Sequence, residues 1–134
     1  MPFKGALQVI LNQMKSAQLW HPWLPYLFIL PSDQALIGLG GFKFPPDAQR
    51  SVEIGYAIAP EYQGRGFATS ATRQLIQIAF ESALVDSVCA HTLAERNAST
   101  RVLEKCGLTQ VSEEIDPDVG GVWRWEIQRS QWRT

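Results

Sequence analysis

A chain of 134 residues is one domain's worth of polypeptide, and at 46% hydrophobic and 19% charged it can build a core and stay in solution. Its net charge of −1 argues against a general nucleic-acid binder, whose surface would be basic. Two cysteines, Cys89 and Cys106, make neither a disulfide framework nor a paired metal motif, and His21 and His91 have no partner at metal-ligand spacing, so buried free thiols, no metal and a reducing compartment are expected.

In chain order, Phe3, Leu7, Ile10, Met14 and Ala17 recur at spacings of three and four, which predicts an amphipathic helix over 3–19, with Pro2 suited to its start. Gln8, Asn12 and Gln13 break any apolar run there, and a signal peptide's charged start is absent. WLPYLFILP, residues 23–31, falls well short of the roughly 20 apolar residues of a membrane span and predicts a buried strand over 24–30. No membrane segment and a cytoplasmic location are therefore expected. A turn at 32–34 leads to a second strand, ALIGLGGF at 35–42, weakened by its glycines. After a loop at 45–51 comes a third strand at 52–59, with Val52, Ile54, Tyr56 and Ile58 on one face and Glu53, Gly55, Ala57 and Ala59 on the other.

QGRGFA, residues 63–68, separates that strand from a helix whose apolar stripe is Ala68, Ala71, Leu75, Ile78 and Ala79, with Arg73, Gln74 and Gln77 facing away. DSVCAHTL, 86–93, is a fourth strand. Asn97 suits a helix N-cap, Ala98, Val102, Leu103 and Cys106 give the next short helix its buried side, and Gly107 fits its stop. LTQVSEE and GGVWRWEI flank IDPDVG as a hairpin. Trp123 and Trp125 share a strand face, chiefly for core packing. Glu113, Glu114, Asp116 and Asp118 gather around the hairpin, as a solvated loop or as an attraction for a cationic amine. The order of elements predicts a single α/β or α+β domain with a mixed sheet.

The glycine junction is the feature with chemistry in it. A helix start exposes unpaired N–H groups carrying partial positive charge, and glycines let an anion approach them closely. In QGRGFA, Gly64 and Gly66 clear the approach, Ala68 keeps it narrow and Arg65 can add charge. A plain strand-to-helix turn would use the same residues. A dinucleotide fingerprint lacks its third glycine, because Thr69 stands there, and its acidic residue would have to be near Asp86, which begins a strand instead of ending one. A P-loop's terminal Gly-Lys-Ser/Thr is missing.

EIGYAIAPEYQGRGFATSATRQLIQIAF resembles the acetyl-CoA-binding core of the GNAT superfamily of N-acetyltransferases, with Gln63, Gly66 and Ala68 matching its Q/R-x-x-G-x-G/A pattern. HTLAERNASTRVLEKCGL, 91–108, resembles the strand and following helix of the branch holding the Rim-type ribosomal-protein N-acetyltransferases. The resemblance implies a mixed, mostly antiparallel sheet whose middle strands splay apart, flanked by helices. It implies acetyl-CoA as co-substrate, no metal, and a primary amine as acceptor, either a small molecule or a protein N-terminus. The diphosphate would sit on Gln63, Gly64, Arg65, Gly66, Phe67, Ala68 and Thr69, and the pantetheine arm beside the backbone of Ile58 and Ala59. An N–H around Ala57 to Ala59 would be the oxyanion donor. Glu53 is the candidate base, the alternative being a solvated carboxylate or one paired with an arginine such as Arg50. The family's helical tyrosine acid is replaced by Leu103, so the acid role passes by resemblance to Ser99, which could equally be a helix-start residue. Asn97 would contact the cofactor or only cap its helix, and Arg96 could take its place. The family's first strand is expected to be missing at the N-terminus, leaving room for a partner chain, a homodimer included, or for a CoA-binding module without independent turnover.

Overall fold

In a computed structural model, Trp23 and residues 25–132 are described, and the helix expected over 3–19 lies outside them. Strand β1 (Tyr26–Leu30) turns through a 3-10 segment at Pro31–Asp33 into β2 (Ala35–Phe42), which pairs antiparallel with both β1 and β3 (Ser51–Ile58). Helix α1 (Phe67–Glu81) carries the chain over to β4 (Ser87–Leu93), which lies parallel to β3. Helix α2 (Ala98–Lys105) follows, then the hairpin of β5 (Thr109–Asp116) and β6 (Gly120–Gln128). Strand β6 inserts beside β4, so the six-stranded sheet runs β1-β2-β3-β4-β6-β5. One parallel pair among antiparallel ones is the mixed sheet that the sequence predicts.

The core lies on one face of the sheet. Val52 and Ile54 of β3, Val88 and Ala90 of β4, and Trp125 and Ile127 of β6 pack under Leu75, Ile76, Ala79 and Phe80 of α1 and Leu103 and Cys106 of α2. The stripe of α1 is rotated from the expected one: Thr72, Ile76 and Phe80 are buried, while Ala68 and Ile78 are only partly covered. A helix lying across a sheet buries a broader arc than spacing alone selects. Trp125 is buried and its indole N–H donates to Thr92 Oγ1 at 3.0 Å, the core role expected for it. Both cysteines are free and buried, and burial pushes the Cys89 thiol up to about 11.

The glycines of β2 do more than weaken it. A Cβ on Gly38 would fall 2.5 Å from the Ala57 carbonyl oxygen, and one on Gly40 would fall 2.6 Å from that of Gly55. No Cβ tolerates such contacts, so glycine permits this close approach of β2 to β3.

Strands β3 and β4 then part company. Their ladder holds only Ser51, Val52 and Glu53 against Ser87, Val88 and Cys89, although β3 runs on to Ile58 and β4 to Leu93. Hydrogen-bond parity shows which backbone groups face the opening. Lys43 N–H donates to Glu53 C=O at 2.8 Å and Ala59 N–H to Ile37 C=O at 2.7 Å, so the odd-numbered residues of β3 are spent on β2. The N–H and C=O groups of Tyr56 and the N–H of Ile58 are left facing the side from which β4 has withdrawn, while the Ile58 C=O accepts from the Gln63 side chain.

Candidate active site

At the end of β3 a 3-10 turn, Pro60–Tyr62, leads into the glycines. Gly64 and Gly66 take φ of 75° and 84°, the left-handed region where any Cβ is strained. Gly66 is the N-cap of α1, so no side chain caps the helix, and its first turn holds no acidic residue. The first helical backbone bond runs from Ser70 N–H to Gly66 C=O at 3.1 Å. The N–H groups of Phe67, Ala68 and Thr69 therefore precede the helical ladder, at the positive end of a 15-residue helix. The Gln63 side-chain amide donates to Ile58 C=O at 3.0 Å and ties the junction back to β3.

This junction opens into a cleft of ≈ 490 Å³ between α1 and α2. Ile58, Gln63, Gly64, Gly66, Ala68 and Thr69 line one wall, and Ser99, Arg101 and Lys105 line the other. Six of the expected cofactor residues and the expected acid thus share one cavity. The remaining expected residues are placed differently. Ala59 donates its N–H to β2, and parity directs Ala57 the same way, so Ile58 is the N–H of that trio that faces the opening. The Arg65 guanidinium lies over the rings of Tyr62 and Phe67, 5.4 and 5.0 Å from their centroids, and the Phe67 ring lines a separate apolar groove between β1 and α1. Asn97 caps α2: its Oδ1 accepts from Thr100 N–H at 3.1 Å, and Thr100 Oγ1 accepts from Asn97 N–H at 3.0 Å.

Sequence reasoning missed Arg101, Lys105 and Tyr56 as residues of this cleft. Arg101 and Lys105 place two cations across from the helix start. Their spacing of four on α2 was readable, but which wall they would face was not. Tyr56 also lines the cleft. Burial raises its phenol above the ordinary tyrosine pKa, an effect that polar contacts with Thr72 and Ser99 only partly offset. Leu103, where a tyrosine was looked for, is sealed in the core at 1% exposure.

Glu53 sits where β3 and β4 separate, on the sheet face opposite the helices. Its Oε2 is 2.7 Å from Lys43 Nζ and 3.0 Å from His91 Nδ1. Arg50, the partner considered from sequence, is engaged elsewhere, with Asp86 at 2.9 Å. The other ring nitrogen of His91, Nε2, is 3.1 Å from Glu114 Oε1. Burial would raise the Glu53 carboxyl, but hydrogen bonds and charge from Lys43 and His91 outweigh it and hold the pKa below the usual glutamate value. A depressed carboxylate stabilises the fold above its unfolded pKa and loses that contribution as pH falls through the folded value. Lys43→Met removes the closest cation, so its acid-unfolding midpoint is expected at higher pH than that of the unmodified chain, read by circular dichroism across a pH series.

Among the described residues, no cluster of three His, Cys, Asp or Glu side chains could hold a metal ion, and no helix is long and apolar enough to cross a membrane. The family model described as an acetyltransferase (GNAT) domain matches residues 5–109. FsC-acetyl coenzyme A-N(2)-transacetylase of Aspergillus fumigatus is 31% identical over 87 residues, covering 60% of this chain and 37% of that one. YdaF of Bacillus subtilis, provisionally named a ribosomal N-acetyltransferase, is 32% identical over 84 residues, 63% of this chain and 46% of its own. The chain thus spans less than half the length of these two relatives. Among solved structures, a spermidine N-acetyltransferase SpeG chimera from Vibrio cholerae and hSSAT superposes with a TM-score of 0.76 at 21% identity, over 90% of this chain and 75% of that one. RimJ of Mycobacterium smegmatis in complex with CoA-disulfide superposes at 0.73 and 22% identity, over 83% and 55%. At such identities these two likenesses speak for the fold alone. The family match, which spans most of the chain, settles the assignment: this protein belongs to the GNAT acetyltransferase family.

Proposed function

We propose that the chain is an N-acetyltransferase that moves the acetyl group of acetyl-CoA to a primary amine by direct attack in a ternary complex. The observation that carries this is the meeting, in one cleft, of an uncapped helix start with a strand whose partner has withdrawn. The first suits a diphosphate, which needs N–H donors and positive charge, here from residues 67–69 with Arg101 and Lys105 opposite. The second suits an amide-bearing arm, because the backbone of Tyr56 and the N–H of Ile58, on the side of β3 away from β2, offer it a strand edge. Glycines at 64 and 66, with nothing within 4 Å of an added Cβ, leave the approach clear.

Acyl transfer needs a neutral amine close to the thioester carbonyl, a donor for the charge that develops on oxygen, and a proton for the departing thiolate. In this proposal Ile58 N–H is the oxyanion donor and Glu53 takes the amine's proton, directly or through a water. Ser99 supplies the thiolate's proton, with the Tyr56 phenol beside it in the cleft. Exposed acidic side chains of the hairpin, Glu113, Glu114 and Asp118, suit an acceptor that arrives as a cation. A protein N-terminus or a small polyamine both meet that description, and a cytoplasmic location and a homodimer are consistent with either.

The test is release of free CoA from acetyl-CoA with a panel of polyamines, amino acids and peptides with free N-termini. Turnover with at least one amine is the expected result. Acetyl-CoA binding without release from any amine would instead mark a CoA-binding module.

A further inference from the structure

On the Glu53 face of the sheet, three side chains from three strands stand in line. Glu53 of β3, His91 of β4 and Glu114 of β5 are linked by contacts of 3.0 and 3.1 Å through the two nitrogens of one ring. Side-chain exposure rises along the line, from 12% at Glu53 to 23% at His91 and 44% at Glu114. Register explains the alignment: Glu53 faces Cys89 across the parallel pair, so His91, two residues on, shares its side of the sheet. His91 in turn lies opposite Arg124 of β6, and Arg124 opposite Ser112 of β5, two residues before Glu114.

We propose that His91 is a positioning and proton-relay residue that connects Glu53, at the parting of β3 and β4, with solvent at Glu114. This rests on the acetyltransferase reading and deepens it by naming where the amine's proton goes. Carboxylates only accept hydrogen bonds, so a neutral ring can donate to one of its two glutamates at a time, and only the imidazolium can donate to both. At rest the ring donates Nδ1–H to the ionised Glu53; exchange with water at the half-open ring gives the tautomer with its proton on Nε2, donated to Glu114, whose Nδ1 can accept a proton from Glu53. An amine N–H proton passes to Glu53 as nitrogen bonds to the acetyl carbon, and from Glu53 to Nδ1. The imidazolium so formed releases its Nε2 proton to Glu114 and then to water. One proton leaves the amine and one enters solvent, and the ring is left with its proton on Nδ1, donated to Glu53 as at rest.

The other charges around the ring are consistent with this direction. Lys43 lies on the same Glu53 oxygen as His91, which keeps Glu53 ionised at rest and favours onward passage of any proton it receives. Arg124, directly across from His91, is held by Glu126 at 3.1 Å, which leaves Glu114 as the carboxylate on Nε2. Ser112 Oγ donates to the far oxygen of Glu114 at 3.1 Å and fixes its orientation. Cys89, the remaining titratable group on this face of β4, is buried with its thiol pKa pushed up to about 11.

The experiment compares the unmodified protein with His91→Gln and Glu114→Gln, using the amine that gives the fastest CoA release. A glutamine at 91 can still donate to Glu53 but cannot pass a proton on. The expected result for His91→Gln is a fall in kcat of about tenfold or more, unchanged acetyl-CoA affinity, a flattened acid limb of the pH–rate profile, and partial recovery by added imidazole. Glu114→Gln is expected to lower kcat less. A purely structural histidine would give no imidazole rescue and an unaltered pH profile, and either result overturns the relay. Should His91→Gln fail to fold, an unaltered profile in Glu114→Gln overturns it as well. If the unmodified protein releases no CoA with any amine, the underlying acetyltransferase reading falls first, an outcome distinct from a relay variant that behaves as wild type.

Discussion

Gly66→Val is expected to weaken acetyl-CoA binding by about 100-fold or more, measured by isothermal titration. Two effects add. At φ 84° a β-branched residue is strained by roughly 1–2 kcal/mol, which the loop can relieve only by swinging the junction away from its present path. The N–H groups of residues 67–69 then lose their common aim, and each charge-assisted hydrogen bond to a diphosphate is worth roughly 1.5–3 kcal/mol. Losing one such bond along with the strain gives about 3 kcal/mol, near 100-fold in affinity. The effect is not a clash inside the protein, because an added Cβ at 66 meets nothing within 4 Å. The substituted chain should therefore fold, with a melting temperature only a few degrees lower, and still fail to bind. Undiminished affinity would mean that the diphosphate lies elsewhere.

Glu53→Gln should divide binding from chemistry in the opposite sense. Glutamine keeps the shape and can still accept from Lys43 and His91, so the fold and the cofactor cleft, which lies across the sheet, should be preserved. What is lost is a group able to take a proton. General-base catalysis contributes typically 10²–10⁴-fold, and the low end applies here, because Lys43 and His91 hold the carboxyl below its ordinary pKa and make it a weak base. The expected outcome is a kcat about 10²-fold lower at neutral pH with acetyl-CoA affinity unchanged, in a steady-state assay paired with titration. Since proximity alone can supply much of the rate, residual turnover should persist and rise with pH as more of the amine becomes neutral. Wild-type turnover across the pH range would remove Glu53 from the chemistry.

The sequence made some of this architecture legible and hid the rest, for separable reasons. Local signals were sound where one segment decides the outcome. The alternation of Val52, Ile54, Tyr56 and Ile58, the glycines at 64 and 66, and the cap at Asn97 each depend on their own neighbours, and the structure contains all three features. Faces set by tertiary packing were read less well: the buried stripe of α1 takes in Thr72, Ile76 and Phe80 because of how the helix lies on the sheet. Least legible were contacts made by register. His91 looked like an isolated histidine, 38 residues from Glu53, and nothing local says that β3 and β4 pair with Glu53 opposite Cys89. Lys43 and Glu114 come to the same place by equally distant routes. Tyr56 was assigned the correct face, yet its place beside Ser99 depended on where α2 would dock.

Crystals of the chain grown with CoA test the central claim most directly. The diphosphate oxygens should lie about 3 Å from main-chain N–H groups within residues 64–69, with the pantetheine arm running along Tyr56 and Ile58 in the opening between β3 and β4. A diphosphate bound away from that helix start, or an arm that leaves the opening empty, would contradict it.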